Sequence, residues 1–294
     1  MTIRTQELVI NFHMTEACNF RCAYCYAKWN DEPSSKELYG HSGQVDALLN
    51  SLADYFFNSN PIREQLGYQR VRINFAGGEP MMLGKYFTRA LVKAKALGFQ
   101  TSVITNGHFL NDKMMREVAP SLDILGISFD TADELIAQSI GRTDRHKRWL
   151  SPRQLLELCH SYRHLNPLGK LKLNTVVNPF NFREDLSALI NQIQPDKWKL
   201  LRVLPVHDTS QVVTDTQYQA YVDRHLRSYP RLIIEDNDDM WQSYLMINPQ
   251  GQFYQNVNPT SGHLQSKPIL QVGVQEALSE IPFDVRAFAS RYSA

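Results

Sequence analysis

Short apolar runs alternate with helical periodicities along most of the chain. The pattern predicts strands over 8–12, 71–75, 101–105, 124–128, 171–177 and 198–204. Between them it predicts helices over 45–57, 86–97, from 112 onward, over 152–165 and over 184–193. Regular alternation implies a parallel sheet, because each crossover helix returns the chain to start its next strand in the same direction. About six such units are too few to close an eight-fold barrel. The expected fold class is therefore α/β, a partial (β/α)6 barrel with its site at the C-terminal ends of the strands. After a helix over 217–226, apolar stretches at 244–247 and 252–255 flank Asn248-Pro249-Gln250-Gly251, a hairpin turn. Residues 1–210 are expected to form the barrel and 211–294 an extension closing its mouth. The polar stretch 30–42 is expected to be a mobile loop over the cysteine motif.

Composition narrows the function classes. The chain has 294 residues, 43% of them hydrophobic, enough for one sizeable catalytic domain. With 31 basic against 30 acidic residues there is no charge excess for a broad nucleic-acid or membrane surface, so a polyanionic ligand would be small. Neither a signal-peptide pattern nor a bilayer-length apolar run is visible, and a cytoplasmic protein is expected. Three of the four cysteines fall within eight residues, which suits a metal site in a reducing compartment better than a disulfide framework.

Those three lie in Cys18-Asn19-Phe20-Arg21-Cys22-Ala23-Tyr24-Cys25. A structural zinc site would want a fourth Cys or His at compatible spacing. An iron–sulfur cubane held by three thiolates instead leaves one iron open to an external chelating ligand. Cys159, alone on an apolar helical face, reads as a buried small hydrophobe.

The cysteine motif, followed after a strand by Gly77-Gly78-Glu79-Pro80, resembles the radical S-adenosylmethionine (SAM) superfamily. The resemblance implies a [4Fe-4S] cluster on Cys18, Cys22 and Cys25, with SAM as the chelating ligand. It also implies that Gly77, Gly78 and Glu79 bind the SAM amino group, with Tyr24 beside the last ligand. Thr105, Asn106 and Ser128, at successive strand ends, are placed for the SAM ribose or carboxylate.

Further strings resemble the viperin-like family within that superfamily. They include Asn11-Phe12-His13, Arg72-Ile73-Asn74-Phe75, Ile124-Leu125-Gly126-Ile127-Ser128-Phe129-Asp130, Ile140-Gly141-Arg142, Lys172-Leu173-Asn174, Trp198-Lys199, Ser243-Tyr244-Leu245 and Ser266-Lys267-Pro268. The resemblance implies a nucleoside triphosphate substrate and a role in antiviral, here phage, defence. Its phosphates would be held by Arg72, Arg142, Lys172, Lys199 and Lys267, with Arg142 shared with the SAM carboxylate. Asn11 and Asn174 would touch the sugar or phosphate, and the C-terminal extension would contribute to this site. Arg grips phosphate bidentately while Lys acts as a point charge, and a charged Lys inside an apolar strand pattern needs a partner.

The implied reaction is hydrogen abstraction from C4′ of CTP, UTP or GTP by a 5′-deoxyadenosyl radical, then loss of the 3′-hydroxyl. The product is the 3′-deoxy-3′,4′-didehydro nucleotide, with Tyr244 as proton or hydrogen donor. A one-electron donor such as flavodoxin or ferredoxin is expected as partner, and the chain is expected to be a monomer that engages no nucleic acid. The membrane-tying N-terminal helix of animal viperins has no counterpart here, so a membrane-free form is expected. Two other readings stay open: a radical SAM peptide-modifying or activating enzyme, and an iron–sulfur redox sensor. The first would commonly show further cysteines for auxiliary clusters, and the second leaves Gly-Gly-Glu-Pro without a purpose.

Overall fold

All six predicted strands form: β1 (Glu7–His13), β2 (Arg70–Ala76), β3 (Gln100–Thr105), β4 (Ile124–Ser128), β5 (Lys170–Val177) and β6 (Lys197–Arg202). Four shorter ones follow, β7 (Ile233–Glu235), β8 (Leu245–Ile247), β9 (Gln252–Asn258) and β10 (Gly262–Pro268). The computed structural model describes residues 5–25, 34–204, 212–237, 242–258 and 262–292. They divide between two units: Met1–Ala17, Glu32–Val103 and Asp238–Ala294 in the first, Cys18–Asp31 and Ile104–Asn237 in the second.

In the first unit β1, β2 and β3 run parallel, with Asn11 in register with Asn74, and Asn74 with Ser102. Leu8, Ile10, Ile73 and Phe75 are fully buried, as expected of parallel strands covered on both faces. Helix Gln44–Phe56 buries Leu48, Leu49, Leu52 and Phe56 along one stripe. Truncating Phe56 to alanine would cost roughly 3–5 kcal/mol. The predicted hairpin is β8 and β9, joined by the antiparallel β10. Its β8 pairs parallel with β1, so this part of the C-terminal extension adds strands to the sheet.

One expectation is corrected here. From residue 34 onward the stretch read as a mobile loop is docked: Leu38–Gly40 form a 3-10 turn, Leu38 N donates to Pro249 O at 2.9 Å, and Glu37 is completely buried. The remainder of that stretch, 30–33, lies outside the described residues.

In the second unit β4, β5, β6 and β7 are all parallel. Burial alternates along β5, with Leu171, Leu173, Thr175 and Val177 inside and Lys172 and Asn174 half-buried on the other face. Helix Pro152–Leu165 starts with a capping box, Ser151 with Gln154, and Pro152 in its first turn. Removing such a cap typically costs about 1 kcal/mol. Cys159 faces the core of that helix, 2% exposed, and burial pushes its thiol up to about 12, as expected of an inert small hydrophobe. Among the described residues no helix is long and apolar enough to cross a membrane.

Candidate active site

The first unit carries the Gly-Gly-Glu-Pro segment. Beyond β1 and β2, Met14 N donates to Ala76 O (3.0 Å), Gly78 N to Thr15 O (2.8 Å) and Glu79 N to Ala17 O (2.8 Å). The segment is thereby tied to the residues leading into Cys18. Gly77 has φ +125°, and a Cβ there would sit 2.5 Å from Thr15 O, so only glycine fits this approach. Glu79 is 1% exposed and its Oε1 accepts from Met81 N at 3.1 Å, capping the 3-10 turn Pro80–Leu83.

Glu37, which sequence reasoning missed, holds the same residues from the other side. Its carboxylate accepts from Thr15 Oγ1 (2.9 Å) and Glu16 N (2.7 Å), while Thr15 Oγ1 accepts from Ala17 N (3.0 Å). Burial pushes the Glu37 carboxyl up, against these donors. The signal was slight: one acidic residue in a polar stretch.

Asn11 belongs to a polar ladder across β1, β2 and β3. Asn74 Nδ2 donates to Asn11 Oδ1 (2.8 Å), Ser102 Oγ to Asn74 Oδ1 (2.7 Å), and Arg72 to Ser102 Oγ (2.9 Å). Arg72 also pairs with Glu7 at 2.8 Å and is 8% exposed. Of the expected phosphate ligands, Arg72 is therefore engaged inside the unit. Lys267 is exposed and bridges Glu280 (3.0 Å) and Glu276 (3.6 Å) on the neighbouring helix. The structure brings these two to carboxylates rather than to one another.

Tyr244, just before β8, is half-buried under Arg291. The guanidinium carbon lies 3.8 Å from the ring centroid, one Arg291 nitrogen donates to the phenol oxygen, and another donates to Ser243 Oγ at 3.1 Å. Arg291 comes from helix Val285–Tyr292, near the C-terminal end of the described residues.

The second unit carries the cysteines. The loop is held by its backbone: Arg21 N donates to Gly141 O (3.1 Å) and Ala23 N to Ile140 O (3.0 Å). Gly141 has φ +72°, and a Cβ there would lie 1.9 Å from Arg21 O. Phe20 N donates to Cys18 Sγ at 3.4 Å, Cys25 N to Cys22 O at 3.0 Å, and Asn106 Nδ2 to Asn19 Oδ1 at 2.8 Å. Thr105 Oγ1 and Asn106 Oδ1 accept from Gly107 N and His108 N, so both also shape the turn after β3.

A charged group surrounds Cys22. Arg142 pairs with Asp130 (3.2 Å), donates to Ser128 O, lies over the Phe20 ring at 5.5 Å and hydrogen-bonds Cys22. The Tyr24 hydroxyl donates to Asp130. Burial opposes the Arg142 charge, but Asp130 holds its pKa above the usual arginine range. Burial, with Asp130 beside it, pushes the Tyr24 phenol well up, so it stays a donor. Burial also pushes the Cys22 thiol up, and Arg142 opposes that shift by favouring thiolate. Asp130 was given no role from sequence, although it closes the Ile124-to-Asp130 string.

Lys172, Asn174 and Lys199 share a sheet face with Ser128: the register runs Ser128, Asn174, Lys199 across β4, β5 and β6. Lys199 has a partner unseen in the sequence, Glu235 on β7. Asn174 Oδ1 is buried without a hydrogen-bond partner, and a buried acceptor so placed wants a donor.

The description of the Radical SAM superfamily matches residues 12–162. A protein named S-adenosylmethionine-dependent nucleotide dehydratase, from Pseudoalteromonas ulvae, is 58% identical over 289 residues, spanning 98% of this chain and 94% of its own. Another of that name, from Psychrobacter lutiphocae, is 36% identical over 290 residues, spanning 99% and 96%. Among solved structures, Streptococcus suis SuiB bound to S-adenosylmethionine matches with a TM-score of 0.62 at 13% identity, over 98% of this chain and 68% of that one. That likeness concerns the fold alone.

The superfamily's cofactors are a [4Fe-4S] cluster and SAM. The residues fit them: three thiols free of disulfides, one accepting a backbone N–H and one beside a buried cation, as thiolate ligands need. Among the described residues no three His, Cys, Asp or Glu side chains are grouped so as to hold a metal ion. The chain belongs to the radical SAM superfamily and, within it, to the viperin-like family of S-adenosylmethionine-dependent nucleotide dehydratases.

Proposed function

We infer that this chain dehydrates a ribonucleoside triphosphate, CTP, UTP or GTP, to its 3′-deoxy-3′,4′-didehydro analogue, a chain terminator used in phage defence. The observation that carries the reading is the near-full-length likeness to a protein named as a nucleotide dehydratase. When bound, the reduced cluster and SAM supply the 5′-deoxyadenosyl radical that removes the C4′ hydrogen.

The chain's own residues bind and orient. Cys18, Cys22 and Cys25 hold the cluster, and Gly77, Gly78, Glu79, Thr105, Asn106, Ser128 and Arg142 position SAM, with Tyr24 fixing Asp130 and through it Arg142. Lys172 and Lys199 offer cations to the phosphates. Asn174, whose oxygen lacks a donor, suits a sugar hydroxyl better than a phosphate, because phosphate oxygens only accept. Asn11 is held for the sugar by Asn74, with Arg72 acting through Ser102. Tyr244 supplies the proton or hydrogen at the sugar, its phenol oriented by Arg291. Residues 1–210 act as the barrel and 211–294 as the nucleotide-side extension, in a cytoplasmic monomer served by a one-electron donor protein.

The test is anaerobic. The reconstituted, reduced enzyme is given SAM with each ribonucleoside triphosphate in turn, and products are read by mass spectrometry. Triphosphate-dependent 5′-deoxyadenosine with loss of water from one nucleotide is expected. SAM cleavage with every nucleotide left intact would overturn the substrate assignment.

A further inference from the structure

Reduction of the cluster needs one electron from outside the chain, so a donor has to approach the surface around the cysteine loop. Arg145, His146, Lys147 and Arg148 form an exposed turn there. It follows directly on Gly141 and Arg142, the residues that hold the loop at Arg21 and Cys22. Only Thr143 and Asp144 separate Arg142 from Arg145, a reach of at most about 11 Å. Exposed Arg21 adds a cation on the loop itself, its guanidinium donating to Cys18 O (2.6 Å) and Phe20 O (2.8 Å).

The turn is built rather than loose. Asp144, 8% exposed, accepts from His146 N and Arg148 N at 2.9 Å each and from Arg148 Nε at 2.8 Å. Asp144 N donates to Arg148 O at 2.9 Å, and Lys147 N to Asp144 O at 3.0 Å. Lys147 is held at φ +61°, a left-handed conformation unfavourable for lysine that persists only where surrounding bonds impose it. The whole chain carries a formal charge of only +1, so this is a local concentration of cations rather than a share of a general surplus. Substrate phosphate fits it poorly: all four side chains face solvent, whereas Lys172 and Lys199 are half-buried on one sheet face.

We propose that this basic turn is the docking surface for an acidic one-electron carrier protein of the flavodoxin or ferredoxin kind. The inference rests on the cluster and SAM assignment and not on the identity of the nucleotide. One electron leaves the carrier's reduced flavin or iron–sulfur centre and enters the oxidised cluster, whose net charge falls by one; no bond between the two proteins forms or breaks. Clustered charge of one sign raises encounter rates by roughly 10–1000-fold and loses that advantage as salt is added.

The experiment compares the holoenzyme with the double variant Arg145→Glu, Lys147→Glu. Cluster reduction is followed by loss of visible absorbance and by EPR, with either reduced flavodoxin or dithionite as donor. With flavodoxin at low salt the variant is expected to be reduced at least about tenfold more slowly, and its rate should lose the wild-type decline with ionic strength. Iron content and dithionite reduction should match wild type. Unchanged reduction by flavodoxin would overturn the proposal, and so would equal slowing with dithionite, which would make the turn structural. A raised KM for the nucleotide with normal reduction would assign the turn to substrate instead.

Discussion

Within the second unit, the surroundings of the cysteine loop and the lysine face of β5 and β6 handle polar groups in opposite ways. Around the loop, cation, carboxylate and phenol are matched: Arg142 has Asp130, Ser128 O and Cys22, and Asp130 has Tyr24 and the amide of Val176. On the sheet face, Lys199 has Glu235 but Asn174 keeps a buried oxygen with no donor. The charged group is matched in the protein alone, although on the loop itself Asn19 Nδ2 is buried with no acceptor. Under the proposed function the sheet face would be finished by the nucleotide, since a buried acceptor without a donor costs about 1–3 kcal/mol.

The largest expected effect comes from breaking the matched side. Gly141→Ala drives a methyl into Arg21 O and demands left-handed backbone of an alanine, so the loop should lose its anchor. Iron bound after reconstitution is expected to fall by about tenfold, since a displaced loop cannot gather three thiolates; near-normal iron would show that the anchor is dispensable. Next comes Asp130→Asn, which strands the Arg142 charge. Breaking a buried pair costs about 3–5 kcal/mol, and thermal denaturation of the holoenzyme should register it as a fall of several degrees.

The incomplete side should answer differently. Asn174→Ala removes a group that has no protein partner at its oxygen, so stability should hardly change. If a sugar hydroxyl meets that oxygen, KM for the nucleotide should rise by about tenfold, the worth of one hydrogen bond of roughly 1–1.5 kcal/mol, with iron content unaltered. A lower Tm with unchanged KM would place Asn174 on the structural side of the comparison.

The smallest effect concerns pH, at a buried histidine that has no part in the proposed site. Burial holds the His225 imidazole below its usual pKa, and its Nε2 accepts from Leu186 N at 2.9 Å while Nδ1 faces Tyr221 O at 2.8 Å. The unfolded chain takes up a proton near pH ~6.5 that the folded one resists. This contribution to stability is therefore full above that pH and is lost as pH falls through the lower folded value. Melting temperatures measured between about pH 7.5 and 5.5 should decline in wild type, and less in His225→Leu.

The comparison also shows what a sequence can disclose. Strands β1 to β6 were legible because their apolar runs are long and separated by helical periods. β7 was not, since Ile233–Glu235 is too short to carry a period, and the C-terminal helices of four to eight residues failed for the same reason. The cysteine loop and the Gly-Gly-Glu-Pro segment were legible because their chemistry lies within consecutive residues. Partners chosen by folding were not: Lys199 finds Glu235 36 residues on, Tyr244 finds Arg291 47 residues on, and Glu37 reaches back 22 residues to Thr15. Glu37 in particular stood in a polar stretch that composition marks as a loop, and only its hydrogen bonds reveal a buried carboxylate bracing the approach to Cys18.

The central claim is abstraction of hydrogen from the nucleotide sugar, and isotope transfer tests it most directly. With ribonucleoside triphosphate deuterated at C4′, the 5′-deoxyadenosine recovered after a single turnover should be one mass unit heavier. The same label on C3′ should not be transferred. Unlabelled 5′-deoxyadenosine formed from the C4′-deuterated substrate, with SAM consumed, would contradict the claim.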